Sequence, residues 1–196
     1  MAEAKPKDKS KDKSKAKPSS KASDKAKATR KRSAKTVVSE YMQALADQDL
    51  EHAVSLWKPG TIDTIYGFGD LEAPHGIRAW FSNLFGAFPD WQFEVLEVVA
   101  SGEMAVARWR AKATFTGPGK FQGLQPNGAR IELEGADVFR VVDEQLVENN
   151  AYTNGAVLAQ QVGLLPPTGS SVERAMTGAF NAKTAATGAL RKLRDR

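Results

Sequence analysis

Cysteine is absent from this chain of 196 residues, which excludes disulfides, thiolate metal sites and a cysteine nucleophile. Histidine is nearly absent as well. His52 and His75 stand without clustered carboxylates, so no metal site is expected. No apolar run approaches the roughly 18 residues of a membrane-spanning helix, and the first residues lack the apolar core of a secretory signal. No membrane span and a cytoplasmic location are the expectations. A glycine-rich stretch at 117–128 (GPGKFQGLQPNG) lacks the strand–loop–helix setting of a phosphate cradle, so it reads as a flexible rim. No cofactor is expected.

Charge is plentiful and uneven. Residues 1–35 hold 12 Lys and 2 Arg against 4 acids, a net +10. Residues 36–167 hold 8 basic and 17 acidic residues, a net −9, and residues 168–196 hold 6 and 2, a net +4. The first segment has almost nothing to bury and no aromatic side chain, so a disordered lysine-rich tail is expected over 1–35. Such a tail contacts nucleic acid or another polyanion by neutralising phosphates, without base stacking. The alternatives are a solvated tail or one that folds back on the acidic body. A domain over 36–167 and a basic C-terminal extension over 168–196, helical from about Val172, complete the organisation.

Within the domain, Val37, Tyr41, Ala44, Leu45, Leu50, Val54 and Trp57 recur at helical spacing. They predict one helix over 36–57, or two over 36–46 and 50–57 with an Asp cap between them. Residues 61–66 (TIDTIY) read as a short strand, 67–70 as a turn and 77–88 as a third helix. Residues 92–100 are a strand. Residues 104–116 alternate cleanly, with Ala105, Ala107, Trp109, Ala111, Ala113 and Phe115 on one face and Arg108, Arg110 and Lys112 on the other. Helices gathered at the front and long strands behind predict an α+β class.

The stretch 132–166 organises the rest: two strands joined by a polar turn, then a brief helix ending in Gly-Leu-Leu-Pro. Alternation places Ile131, Leu133, Gly135, Asp137, Phe139 and Val141 on one face. A carboxylate on an apolar face must be paired, protonated or turned to a polar cavity. Asp137 therefore marks a ligand pocket, or a structural ion pair with Arg108 or Arg110.

The order of elements resembles the nuclear transport factor 2-like cone fold. The local text is most similar to its SnoaL-like polyketide or ester cyclase branch. The carrying phrases are Ala87-Phe88-Pro89-Asp90, Gly135-Ala136-Asp137-Val138-Phe139-Arg140 and Ala159-Gln160-Gln161-Val162-Gly163-Leu164-Leu165-Pro166, within residues 36–167. The resemblance implies a curved antiparallel sheet packed on N-terminal helices around one pocket, commonly in a homodimer. It also sets Tyr41 and Asp137 where ketosteroid isomerase relatives keep a tyrosine and a protonated aspartic acid that donate to an enolate. The isomerase base position falls on Thr64, with Asp63 turned to the other side, and the cyclase acid/base position falls on Asn154.

The expected catalytic set is Asp137, Tyr41, Asn154 and His75, with Asn154 or His75 orienting the substrate. Trp91, Trp109, Tyr66, Phe139 and Tyr152 are the candidate substrate contacts, although Tyr41 and the two tryptophans also suit plain core positions. Two functions fit. One is a small-molecule pocket protein acting as an isomerase or cyclase on an apolar or cyclic carbonyl compound. The other is a non-catalytic dimeric module whose basic tail binds nucleic acid or another polyanion.

Overall fold

The structure, a computed structural model, describes residues 31–194. Residues 1–30 and 195–196 lie outside the described residues, and with them most of the lysine-rich tail and its expected polyanion contact. Where the description begins, Lys31 pairs with Asp143 at 2.7 Å, and Arg32 with Glu144 at 2.9 Å and Glu40 at 2.7 Å. These pairs lie at the surface, where solvent screening leaves an ion pair little net stability.

Helix α1 (Ala34–Ala46) starts at Ser33, whose hydroxyl accepts from the Thr36 amide, and buries Val37, Val38, Tyr41, Met42 and Leu45 on one face. Helix α2 (Leu50–Ser55) follows after its Asp49 cap, which accepts from the His52 amide at 3.0 Å. The split into two helices is therefore set by a side-chain cap. Strand β1 (Trp57–Ile65), strand β2 (Gly69–Glu72) and helix α3 (His75–Ala87) come next. The segment 67–70, expected as a turn alone, contributes to β2.

Strands β3 (Gln92–Ser101), β4 (Met104–Thr114), β5 (Arg130–Val142) and β6 (Gln145–Thr153) form a meander. Helices α4 (Gly155–Gln161) and α5 (Ser171–Arg194) close the described chain. The sheet order is β2-β1-β6-β5-β4-β3. Every ladder is antiparallel except β1 with β6, which run parallel. That pairing brings the front of the domain to its last strand.

The core lies between α1 and the inner sheet face. Trp57, Tyr41, Phe88, Phe115 and Phe139 are its largest fully buried side chains. The outer face carries the alternating charges read from β4: Arg110 meets Glu134 at 2.6 Å and Lys112 meets Glu132 at 3.2 Å. The Phe-Pro-Asp phrase has a structural reason, because Asp90 accepts from the Thr114 amide and hydroxyl, both at 2.7 Å, and so ties the end of α3 to β4. Helix α5 buries no residue, and Val172, Met176, Phe180, Leu190 and Leu193 are all exposed. Among the described residues no helix is long and apolar enough to cross a membrane.

Candidate functional site: two aspartates on one asparagine

Three inner strands converge on a buried polar group. Asp63 on β1 lies opposite Asn149 on β6, and Asn149 lies opposite Phe139 on β5, two residues from Asp137. The Asn149 amide nitrogen donates to Asp63 Oδ1 at 2.9 Å and to Asp137 Oδ2 at 3.2 Å. Trp109 Nε1 donates to the other oxygen of Asp137 at 2.8 Å. Asp63, Asp137 and Asn149 are the buried polar side chains among the described residues, at 2%, 8% and 1% exposure.

The neighbours make room for this cluster. Asp137 is flanked in register by Ala107 and Ala151. Gly135 sits opposite Trp109, and a Cβ there would overlap the indole ring and stand 2.7 Å from the Tyr152 carbonyl oxygen. Glycine at 135 thus lets the indole lie over β5 and reach Asp137 diagonally.

Burial raises both acids, because an apolar surround penalises the charged form. Asp63 is pushed up to about 7, chiefly by burial and further by the charge of Asp137, against the Asn149 hydrogen bond. Asp137 is pushed up to about 6 by burial, held back by its bonds from Trp109 and Asn149. Between these values the pair holds one proton and one negative charge. Tyr41, fully buried, is raised well above the usual phenol value by burial, then by Asp63 and Asp137. Its hydroxyl has no hydrogen-bond partner, and neither has Asn149 Oδ1.

The cluster opens into an apolar cavity of about 90 Å³ walled by Leu45, Trp80, Phe81, Trp91, Phe93 and Trp109 among others. A wider groove of about 530 Å³ runs past Asp90, Lys112, Arg130 and Glu132. There Asp90 is bonded to Thr114, Lys112 is paired with Glu132 and Gln161 is bonded to the Glu132 backbone, whereas the smaller cavity holds the buried acid pair and is the candidate site.

Of the expected residues, Asp137, Trp91 and Trp109 line this cavity. Tyr41 lies in the core behind it, edge-on to Phe139 with ring centres 5.7 Å apart. Phe139 is likewise core, fully buried and outside the cavity lining. Asn154 is not at the site: it caps α4, accepting from the Val157 amide at 3.1 Å. His75 is exposed at the start of α3. Tyr66 and Tyr152 stack on each other at 4.6 Å, half exposed, outside the cavity lining.

The larger correction concerns β1. Asp63 faces the interior, and Thr64 points away and donates to Asp70 at 2.8 Å. The expectation that Asp63 turns to the other side and leaves Thr64 at the base position is overturned. Among the described residues Asp137 meets no cation; its partners are an indole and an amide. The stretch 117–128 is also more than a rim: Phe121 is 5% exposed and packs on Phe88 and Trp80. Sequence reasoning missed Asp63, Asn149 and Phe121.

A six-stranded sheet closed by helices over one buried carboxylate pair defines an α+β pocket protein. The chain belongs to the SnoaL-like polyketide cyclase family, whose profile matches residues 35–162. Among solved structures it is similar to AclR from Streptomyces galilaeus, a hydroxylase by provisional assignment, at 25% identity and a TM-score of 0.60, covering 79% of this chain and 96% of that one. It is also similar to IdmH from Streptomyces antibioticus, a polyketide cyclase by provisional assignment, at 24% identity and a TM-score of 0.56, covering 67% and 99%. A SnoaL-like protein from Jannaschia sp. CCS1 aligns at 21% identity and a TM-score of 0.58, covering 67% and 94%. No curated protein matches the chain.

Proposed function

We propose that the protein is an isomerase or cyclase that transfers a proton at the carbon next to a carbonyl group. The observation that carries this is the pair of buried carboxylates bridged by one asparagine at the end of an apolar cavity. A pair that shares one proton near neutrality supplies an acid and a base at once.

The hydrogen bonds assign the roles. Asp137 accepts from two donors and Asp63 from one, so the charge resides on Asp137 and the proton on Asp63. Asp137 takes the α-proton of the substrate. Asp63 gives its proton to the carbonyl oxygen, and an enol results. Return of the proton from Asp137 to another carbon, with the enol proton passing back to Asp63, gives an isomer; attack of the enol carbon on a second carbonyl within the substrate closes a ring, the Asp137 proton passing to the new hydroxyl oxygen and the enol proton to Asp63. Asn149 Oδ1, free of protein donors, is available to a substrate hydroxyl. The donor role expected for Asp137 thus passes to Asp63, and Tyr41 supports the site from behind.

The test is exchange of the α-protons of cyclohexanone for deuterium in D₂O, followed by NMR. The wild-type protein should accelerate exchange over buffer, with a rate that is highest between pH values of about 6 and about 7. Asp137→Asn should abolish the acceleration. Wild-type exchange no faster than buffer, with cyclohexanone shown to bind, would refute the assignment.

A further inference from the structure

The cavity at the acid pair, about 90 Å³, is smaller than the roughly 300–1,000 Å³ of small-molecule sites. A second chamber of about 310 Å³ adjoins it, and Phe68, Phe121 and Leu158 line both. Gln122 is the one side chain in its lining with a hydrogen-bonding group; the others include Phe115, Leu124, Val162 and Leu164.

This chamber is built rather than incidental. One wall is the segment 117–128 and the facing wall is α4 with Val162 and Leu164, and the segment is tied at both ends. The Gly117 amide donates to the Ala87 carbonyl and the Gly128 amide to the Phe115 carbonyl, both at 2.9 Å. Asn127 Nδ2 donates to the Val162 carbonyl at 2.8 Å, fixing the segment to the end of α4. Phe121 and Leu124 bond to each other through their backbones at 3.1 and 2.9 Å. The Phe121 ring is held among Phe88, Trp80 and Phe68, with ring centres at 5.4, 5.7 and 6.2 Å.

We infer that the outer chamber is a second binding subsite, for an apolar hydrocarbon portion of a substrate whose carbonyl end lies at the acid pair, with Phe121 as the partition between them. The inference rests on the proposed proton-transfer reading for where the carbonyl lies. Volume and polarity argue for it. The inner cavity cannot hold a whole substrate of ordinary size, whereas the two together reach the usual range. A polar group in the outer chamber would find one partner at most, and burying it unpaired is unfavourable. A methylene there gains about fourfold in affinity.

The experiment is calorimetric titration of the full chain with straight-chain 2-alkanones from 2-pentanone to 2-dodecanone. Affinity should climb about fourfold per methylene beyond the length that fills the inner cavity. Ala159→Trp, which fills the outer chamber, should weaken 2-dodecanone binding at least tenfold more than 2-pentanone binding. Leu164→Asn, at an exposed position in the lining, should lower the slope without challenging the fold. An affinity that levels off once the inner cavity is full overturns the subsite, and so does a slope that survives both substitutions. A parallel titration of Asp63→Ala separates the two ideas. Loss of affinity there with a flat slope removes the subsite and keeps the carbonyl site. A steep slope indifferent to Asp63→Ala keeps the subsite and removes the proton-transfer reading.

Discussion

Asp63→Asn should flatten the dependence of stability on pH. Asp63 moves from an ordinary 3.8 to about 7 on folding, and Asp137 from 3.8 to about 6. A carboxyl raised in the folded state contributes stability that is whole below 3.8 and is lost as pH climbs through the folded value. Between pH 5 and pH 8 the Asp63 share of that loss covers roughly two pH units and the Asp137 share roughly one. At about 1.4 kcal/mol per unit, the wild-type protein should lose about 4 kcal/mol over the interval, about 3 of them through Asp63. The asparagine variant keeps the Asp137 share alone and should lose about 1 kcal/mol.

Urea denaturation of both proteins at pH 5, 6, 7 and 8 measures the two profiles, and their difference is the relevant quantity. The carboxylates held below their usual range, Glu51, Asp90, Glu134 and Asp143, are common to both proteins and act mainly at lower pH. Parallel profiles would refute the reasoning, because they would mean that Asp63 ionises in the folded protein as it does in the unfolded chain.

Three further substitutions probe the supports of the pair. Trp109→Phe removes a donor from a buried carboxylate, which should cost about 1–3 kcal/mol in urea denaturation. It should also move the acid limb of the exchange-rate profile to higher pH, since the Trp109 bond holds Asp137 down. Gly135→Ala drives a methyl group into the Trp109 ring and should cost roughly 1–3 kcal/mol, with a changed tryptophan signal in near-ultraviolet circular dichroism. Asn154→Ala removes a helix cap and should cost about 1 kcal/mol, while exchange at matched folded fraction stays within about twofold; a complete loss would return Asn154 to the active site.

The architecture was legible where period and local chemistry agreed. The strict alternation of β4 and the inward set ending in Phe139 and Val141 follow from spacing alone, and the Asp cap offers the break between the first helices as one of two readings. Asp137 was found the same way, as a charge on an otherwise apolar face. The site residues that escaped are those where parity is ambiguous or shifted. In the strand 61–66 the two isoleucines, Ile62 and Ile65, fall on opposite faces, so the apolar pattern cannot choose between Asp63 and Thr64. A slip of one residue inverts every assignment. On β6 the ladder shifts between Arg140 and Val141, where Leu146 pairs with Val141 and Glu148 with Arg140. That irregularity at Val147 reverses the parity counted from Leu146, which turns Tyr152 outward and Asn149 inward.

Asn149 shows why such a site hides from sequence reading. A lone asparagine between a glutamate and another asparagine carries no signal of its own. Its role comes from two strands that lie 86 and 12 residues away along the chain. The amide satisfies both carboxylates at once, and that geometry exists only when the parallel β1–β6 pair and the antiparallel β5–β6 pair form together. A buried acid pair without its bridge would hold two raised groups with nothing to set their proton count. Folding the domain therefore assembles the bridge, and the further bond from Trp109 to Asp137 sets the two aspartates apart.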